Sequence, residues 1–94
     1  MNEQQITNEW ITGFRRGDLQ AVRELIVEYN SSLLEFAERI IRESPEAKEI
    51  VTETFIKLLN RRTWFDNPAD IRAFLYITIR NGCMDFLRFS CNGQ

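Results

Sequence analysis

The sequence predicts an all-α fold, a compact bundle of three main helices with a short N-terminal helix before them, on three observations. Apolar residues recur at spacings of three and four through most of the chain, the period of helices with one buried face. No alternation of apolar and polar residues lasts more than a few positions, and no hairpin dipeptide lies between apolar runs, so strands have little support. The helix breakers are confined to four places.

The first predicted element is a short amphipathic turn on Trp10, Ile11 and Phe14, which stops at Gly17, a residue suited to a helix C-terminus. Asp18 is then placed to cap a long helix from Leu19 to about Glu43, with Val22, Leu25, Ile26, Tyr29, Leu33, Phe36, Ala37, Ile40 and Ile41 on its buried side. In "SPEA", Ser44 is a cap, Pro45 fits the first helical position, and Glu46 favours the positive end of the helix dipole. That third helix is expected to reach about Arg62, burying Ala47, Ile50, Val51, Thr54, Phe55, Leu58 and Leu59. "NPAD" repeats the device with Asn67, Pro68 and Asp70, starting a last helix to about Phe89 on Ile71, Phe74, Leu75, Thr78, Ile79, Gly82, Cys83, Phe86 and Leu87.

Ninety-four residues suit one domain spanning 1–94, and 44% hydrophobic with 28% charged residues is the composition of an ordinary globular protein. No apolar run approaches the roughly 20 residues that span a bilayer, and Met1 to Thr12 lacks the basic start and apolar centre of a signal peptide. The expectation is a cytoplasmic protein that does not insert into membranes. Cys83 reads as a small core residue and Cys91 as a free thiol in a frayed tail. The net charge of −2 argues against a generic nucleic-acid binder, but its distribution is uneven. Residues 1–60 hold seven Lys and Arg against eleven Asp and Glu, whereas 61–94 hold five Arg against three Asp, which reads either as two parts that face different partners or as a chance asymmetry.

An enzyme is not expected. Histidine is wholly missing, and there is no glycine-rich phosphate loop and no nucleophile elbow. The row Glu46, Glu49, Glu53 could in principle hold a divalent cation, but bundle metal sites usually add Glu-x-x-His motifs that this chain cannot supply. The row reads as a solvated face, with no metal and no cofactor expected. A repulsive acidic row does make a docking surface for a basic partner.

Three separated stretches in order, "FRRGDLQAVRELIVEYNSSLLEFAERII", "AKEIVTETFIKLL" and "IRAFLYITIRNGCMDFLR", resemble the core domain, region two, of bacterial sigma factors of the extracytoplasmic-function (ECF) group. The likeness covers about Phe14 to Arg88. Glu49 stands where the family usually has Asp, Thr52 where it often has Gln, and Gly82 is unusual inside the last helix. The resemblance implies that the third helix docks on the coiled coil of the RNA polymerase β′ subunit, the clamp helices, through Glu49, Thr52, Glu53, Ile56 and Lys57. Charges would steer there and the apolar patch would hold.

The resemblance also implies that the loop "NRRTWFDNPAD" and the helix after it hold the non-template strand of the promoter minus-ten element, with one unstacked base in the loop. Unstacking costs a few kcal/mol per step, and stacking on an aromatic ring returns roughly 1–3 kcal/mol per base. Arg61 and Arg62 would serve phosphates, Trp64 or Phe65 the stacking surface, and Asn67 and Asp70 base edges. The plainer readings are a hydrophobic lid, for which Phe65 is the better choice, and a helix cap formed by Asn67 and Asp70. On the last helix, Arg72, Tyr76, Arg80 and Asn81 form a polar, basic stripe with an apolar face opposite, as in a helix laid on DNA. Asn81 matches the family's Arg-Asn motif, and Arg88 would bind phosphate or pair with Asp85.

The family implies an anti-sigma factor as regulator. It also implies a second domain that reads the minus-thirty-five element and is absent from these 94 residues, as in an excised domain or a truncated product. The competing expectation is a helical protein-interaction adapter without DNA binding, which gives no reason to pair the basic stripe with an aromatic loop.

Overall fold

A computed structural model describes residues 6–42 and 45–92, with side chains as far as Phe89. The elements are α1 (Trp10–Arg16), α2 (Leu19–Ile41), α3 (Pro45–Asn60), a single 3-10 turn (Arg62–Trp64) and α4 (Pro68–Asn92). Among the described residues there is no strand, and no helix is long and apolar enough to cross a membrane. The all-α prediction and the helix order therefore stand, while several helix ends move.

α1 ends as the sequence indicates. Gly17 adopts φ +83°, a left-handed conformation that costs glycine little, and its N–H donates to the Phe14 carbonyl while the Asp18 N–H donates to Gly13. Asp18 has the backbone of a cap residue but makes no side-chain cap bond, contrary to expectation. Its carboxylate instead takes Arg16, whose Nη2 lies 2.6 Å away, and this hydrogen bond holds the Asp18 carboxyl below the usual carboxylate range. An ion pair with a neighbour has displaced the cap. α1 is fixed to the bundle by its apolar side: Trp10 and Phe14 stack with centroids 4.8 Å apart, and Trp10 Nε1 donates to the Ala21 carbonyl at 3.0 Å.

The core of α2 is narrower than the spacing predicted. Its buried residues are Ala21, Leu25, Tyr29, Leu33, Ala37 and Ile41, one row at steps of four, while Val22, Phe36 and Ile40 are half-buried and Ile26 is exposed. α4 presents a matching row, Ile71, Leu75, Ile79 and Cys83. Rows at steps of four are the ridges that interlock when helices pack closely. α3 fills the third side with Ala47, Val51, Thr54, Phe55 and Leu58. Thr54 is buried without penalty because its hydroxyl donates to the Ile50 carbonyl at 2.8 Å. Gly82 has a packing reason: a Cβ there would lie 3.1 Å from Ile50 Cγ2, so its absence lets α4 approach the first turns of α3. Burial raises the Cys83 thiol above its ordinary value, in keeping with a core residue.

α2 stops at Ile41, two residues before the expected end, and Arg42 turns the chain at φ +67°. Glu43 and the expected cap Ser44 lie outside the described residues. α4 runs three residues past Phe89, so the backbone of Cys91 is helical and not frayed; its thiol lies outside the described side chains. α3 stops at Asn60, two residues early, for a reason visible in its last turn. The Lys57 carbonyl accepts from Arg61 Nη1 (3.1 Å), Leu58 from the Arg61 N–H (3.0 Å) and Leu59 from Arg62 Nη1 (3.1 Å). The two arginines satisfy carbonyls that the end of a helix leaves without partners, and the chain tightens into the 3-10 turn.

Candidate polymerase and nucleic-acid interface

The solvent side of α3 gathers all five residues expected on the polymerase. Glu49, Thr52, Glu53, Ile56 and Lys57 are exposed, and Ile56, a large apolar residue, is 51% exposed. Glu49, Thr52 and Glu53 line a shallow depression with Lys48. Next to it, Lys48, Val51 and Thr52 share a groove with Asn30 and Leu34 of α2. This face combines two carboxylates with an apolar centre and continues across the α2–α3 seam.

The loop after α3 separates its two aromatic residues. Phe65 is buried, packed edge-to-face on Phe74 with centroids 5.4 Å apart, which makes it the lid. Trp64 is 71% exposed, with the Arg61 guanidinium 5.4 Å from its ring centroid, within cation–π range. Trp64 is therefore the ring available for stacking. Arg62, expected on a phosphate, is engaged inside the protein: Nε donates to the Arg15 carbonyl at 3.2 Å and Nη1 to Leu59. Asn67 and Asp70, expected on base edges, form the cap that was their plainer reading. The Asp70 N–H donates to Asn67 Oδ1 at 3.0 Å, and Asn67 Nδ2 donates to Asp70 Oδ2 at 3.1 Å.

Along α4, Arg72, Arg80 and Asn81 are exposed and Tyr76 is half-buried. The Arg72 guanidinium sits 5.0 Å from the Tyr76 ring, and Tyr76 packs edge-to-face on Phe36 of α2 at 5.0 Å. This cation also acts on Tyr29, whose phenol is raised by burial and drawn back down by Arg72. The stripe is less polar than expected, since Ile77 (59% exposed) and Met84 (42%) stand out among its charges. Arg88 pairs with Asp85 one turn back, the plainer of its two expected roles.

A sequence model of the sigma-70 region 2 family matches residues 25–90, α2 through most of α4. The chain belongs to that family. No curated protein and no solved structure gives a match. As a sigma-70 region 2 domain, the chain has the role of the family in binding RNA polymerase and recognising promoters at transcription initiation. Both surfaces of this region 2 domain include residues that the sequence reading missed. Asn30, Leu34 and Lys48 border the α3 face, and Ser32, Glu35, Phe36 and Arg39 of α2 surround Tyr76. For Asn30, Ser32, Leu34 and Phe36 the signal was α2's own pattern, since each lies one position off the buried row and so comes to a seam between helices. Arg15 was missed as well. It lies about 50 residues from the loop in sequence, yet its Nη1 donates to the Phe65 carbonyl at 2.6 Å and meets Asp66 Oδ1 at 3.2 Å. No local pattern announces a contact of that range.

Proposed function

We propose that this domain, of the ECF kind, joins RNA polymerase core through the outward face of α3 and melts the promoter minus-ten element with the loop and α4. Glu49, Glu53, Thr52, Ile56 and Lys57 dock on the β′ clamp helices, the carboxylates steering toward a basic partner and Ile56 holding the contact. Trp64 receives an unstacked base of the non-template strand, Arg61 accompanies it on the ring, and Arg72, Tyr76, Arg80 and Asn81 track the strand beyond it. The domain acts by binding alone, in the cytoplasm with the polymerase, and changes no covalent bond. An anti-sigma factor that restrains it would cover these same faces.

The exposure of Trp64 beside buried Phe65 carries this reading. Adjacent aromatic residues in one short loop divide into a core contact and a ring held in solvent under a guanidinium. Folding explains the first and not the second, and an unstacked base supplies the missing partner.

Arg80 tests the α4 half of the proposal, since it is exposed and its loss should leave the fold intact. Arg80→Ala in reconstituted holoenzyme should weaken binding to forked promoter DNA at every sequence alike. The slope of log affinity against log salt should fall by about one, as for loss of one phosphate contact. Titrations at several salt concentrations measure both. An unchanged slope places Arg80 off the DNA.

A further inference from the structure

The loop that presents Trp64 is held from α1, the element most distant from it in sequence. Arg15 Nη1 donates to the Phe65 carbonyl at 2.6 Å and to Asp66 Oδ1 at 3.2 Å, just after Trp64. Arg62 Nε donates to the Arg15 carbonyl at 3.2 Å, just before it. Gly17 completes the joint, because a Cβ there would lie 3.0 Å from Arg62 Nε and 3.2 Å from Cζ. The left-handed glycine that ends α1 thus also gives the guanidinium its room. Between the two arginines, the Trp64 N–H is bound to the Arg61 carbonyl at 2.9 Å. The backbone is therefore fixed on both sides of an indole that itself touches little.

We propose that Arg15 and Arg62, seated against Gly17, are positioning residues that set the pose of Trp64 from α1, so that the ring is ordered before a base arrives. This inference rests on the reading of Trp64 as a stacking platform and adds how that platform is held. A surface loop ordered in advance loses less freedom on binding than one ordered by the ligand, so the brace raises affinity for the unstacked base without touching it. The two arginines are not equivalent. Both bonds of Arg15 leave one nitrogen, a task that a lysine ammonium can take over, and its exposed ion pair with Asp66 adds little to the carbonyl bond. The bonds of Arg62 leave two nitrogens for carbonyls on two different helices, which one ammonium cannot reach together.

The test uses holoenzyme reconstituted from core polymerase and this chain. The probe is forked DNA whose single-stranded overhang has been selected from random sequence by the wild-type holoenzyme, compared with the same probe carrying an abasic site at the unstacked position. The ratio of the two affinities isolates stacking. Wild type should give a ratio of about ten or more. Arg15→Ala and Arg62→Lys should bring it to within about twofold of one, while core binding and cooperative unfolding persist, and Arg15→Lys should restore it. A merely structural role would lower core binding and stability along with the ratio. If Arg15→Ala fails to fold, Arg62→Lys carries the same test with charge and stem retained. A wild-type ratio in a folded Arg62→Lys or Arg15→Ala variant overturns the brace and leaves the Trp64 proposal standing. A ratio near one in the wild type, unchanged by Trp64→Ala, overturns the Trp64 proposal and the brace with it.

Discussion

Phe14→Ala should lower the stability of the domain by about 3–5 kcal/mol, the usual cost of emptying a fully buried phenylalanine site. Phe14 has no exposed surface and stacks on Trp10, so the substitution leaves a void where α1 joins the bundle. A chain of this length has about 5–15 kcal/mol in total, and each kcal/mol moves the melting midpoint by about 4–8 °C. The midpoint followed by circular dichroism should therefore fall by about 15 °C or more. The loss should reach the loop as well, because α1 carries Arg15. A change below about 1 kcal/mol would mean that α1 is dispensable to the core, and the brace on Trp64 would lose its foundation.

Glu53→Lys should weaken binding to a β′ clamp-helix fragment by about tenfold or more, since it puts like charge against a basic partner. Glu53 is exposed on α3 and lines the depression with Lys48, Glu49 and Thr52, so the fold should tolerate the change to within about 0.5 kcal/mol. Loss of affinity with stability retained is what separates a docking residue from a structural one. Part of the difference should shrink at high salt, where exposed charges are screened. Equal affinities for the two proteins would move the docking surface off α3.

Helix order, the joints at Pro45 and Pro68 and the cap at Asn67 were legible in the sequence because each depends on residues close together in the chain. So was the choice of Phe65 as the buried lid, with Trp64 left in solvent. The cap expected from Asp18 failed because Arg16, two residues away, offered a stronger partner, which a list of cap residues does not weigh. The width of the α2 core was overread: helical spacing admits both Leu25 and Ile26, and only the position of the neighbouring helices excludes Ile26. The arginines were the least legible. Arg61 and Arg62 look like phosphate ligands in a loop, and only the geometry shows Arg62 closing α3 and gripping α1. Arg15 carried no local signal, because its partners are a backbone carbonyl and a carboxylate about 50 residues away.

Promoter opening tests the role of Trp64 most directly. Reconstituted holoenzyme would be mixed with a promoter mapped from its own transcripts and carrying a fluorescent base analogue in the minus-ten element, so that unstacking is read as a rise in emission. Trp64→Ala should keep core binding and folding, since the ring is 71% exposed, and should reduce opening about tenfold or more, the value of one base–aromatic stack. Opening at the wild-type level by a folded, polymerase-bound Trp64→Ala protein would contradict the account.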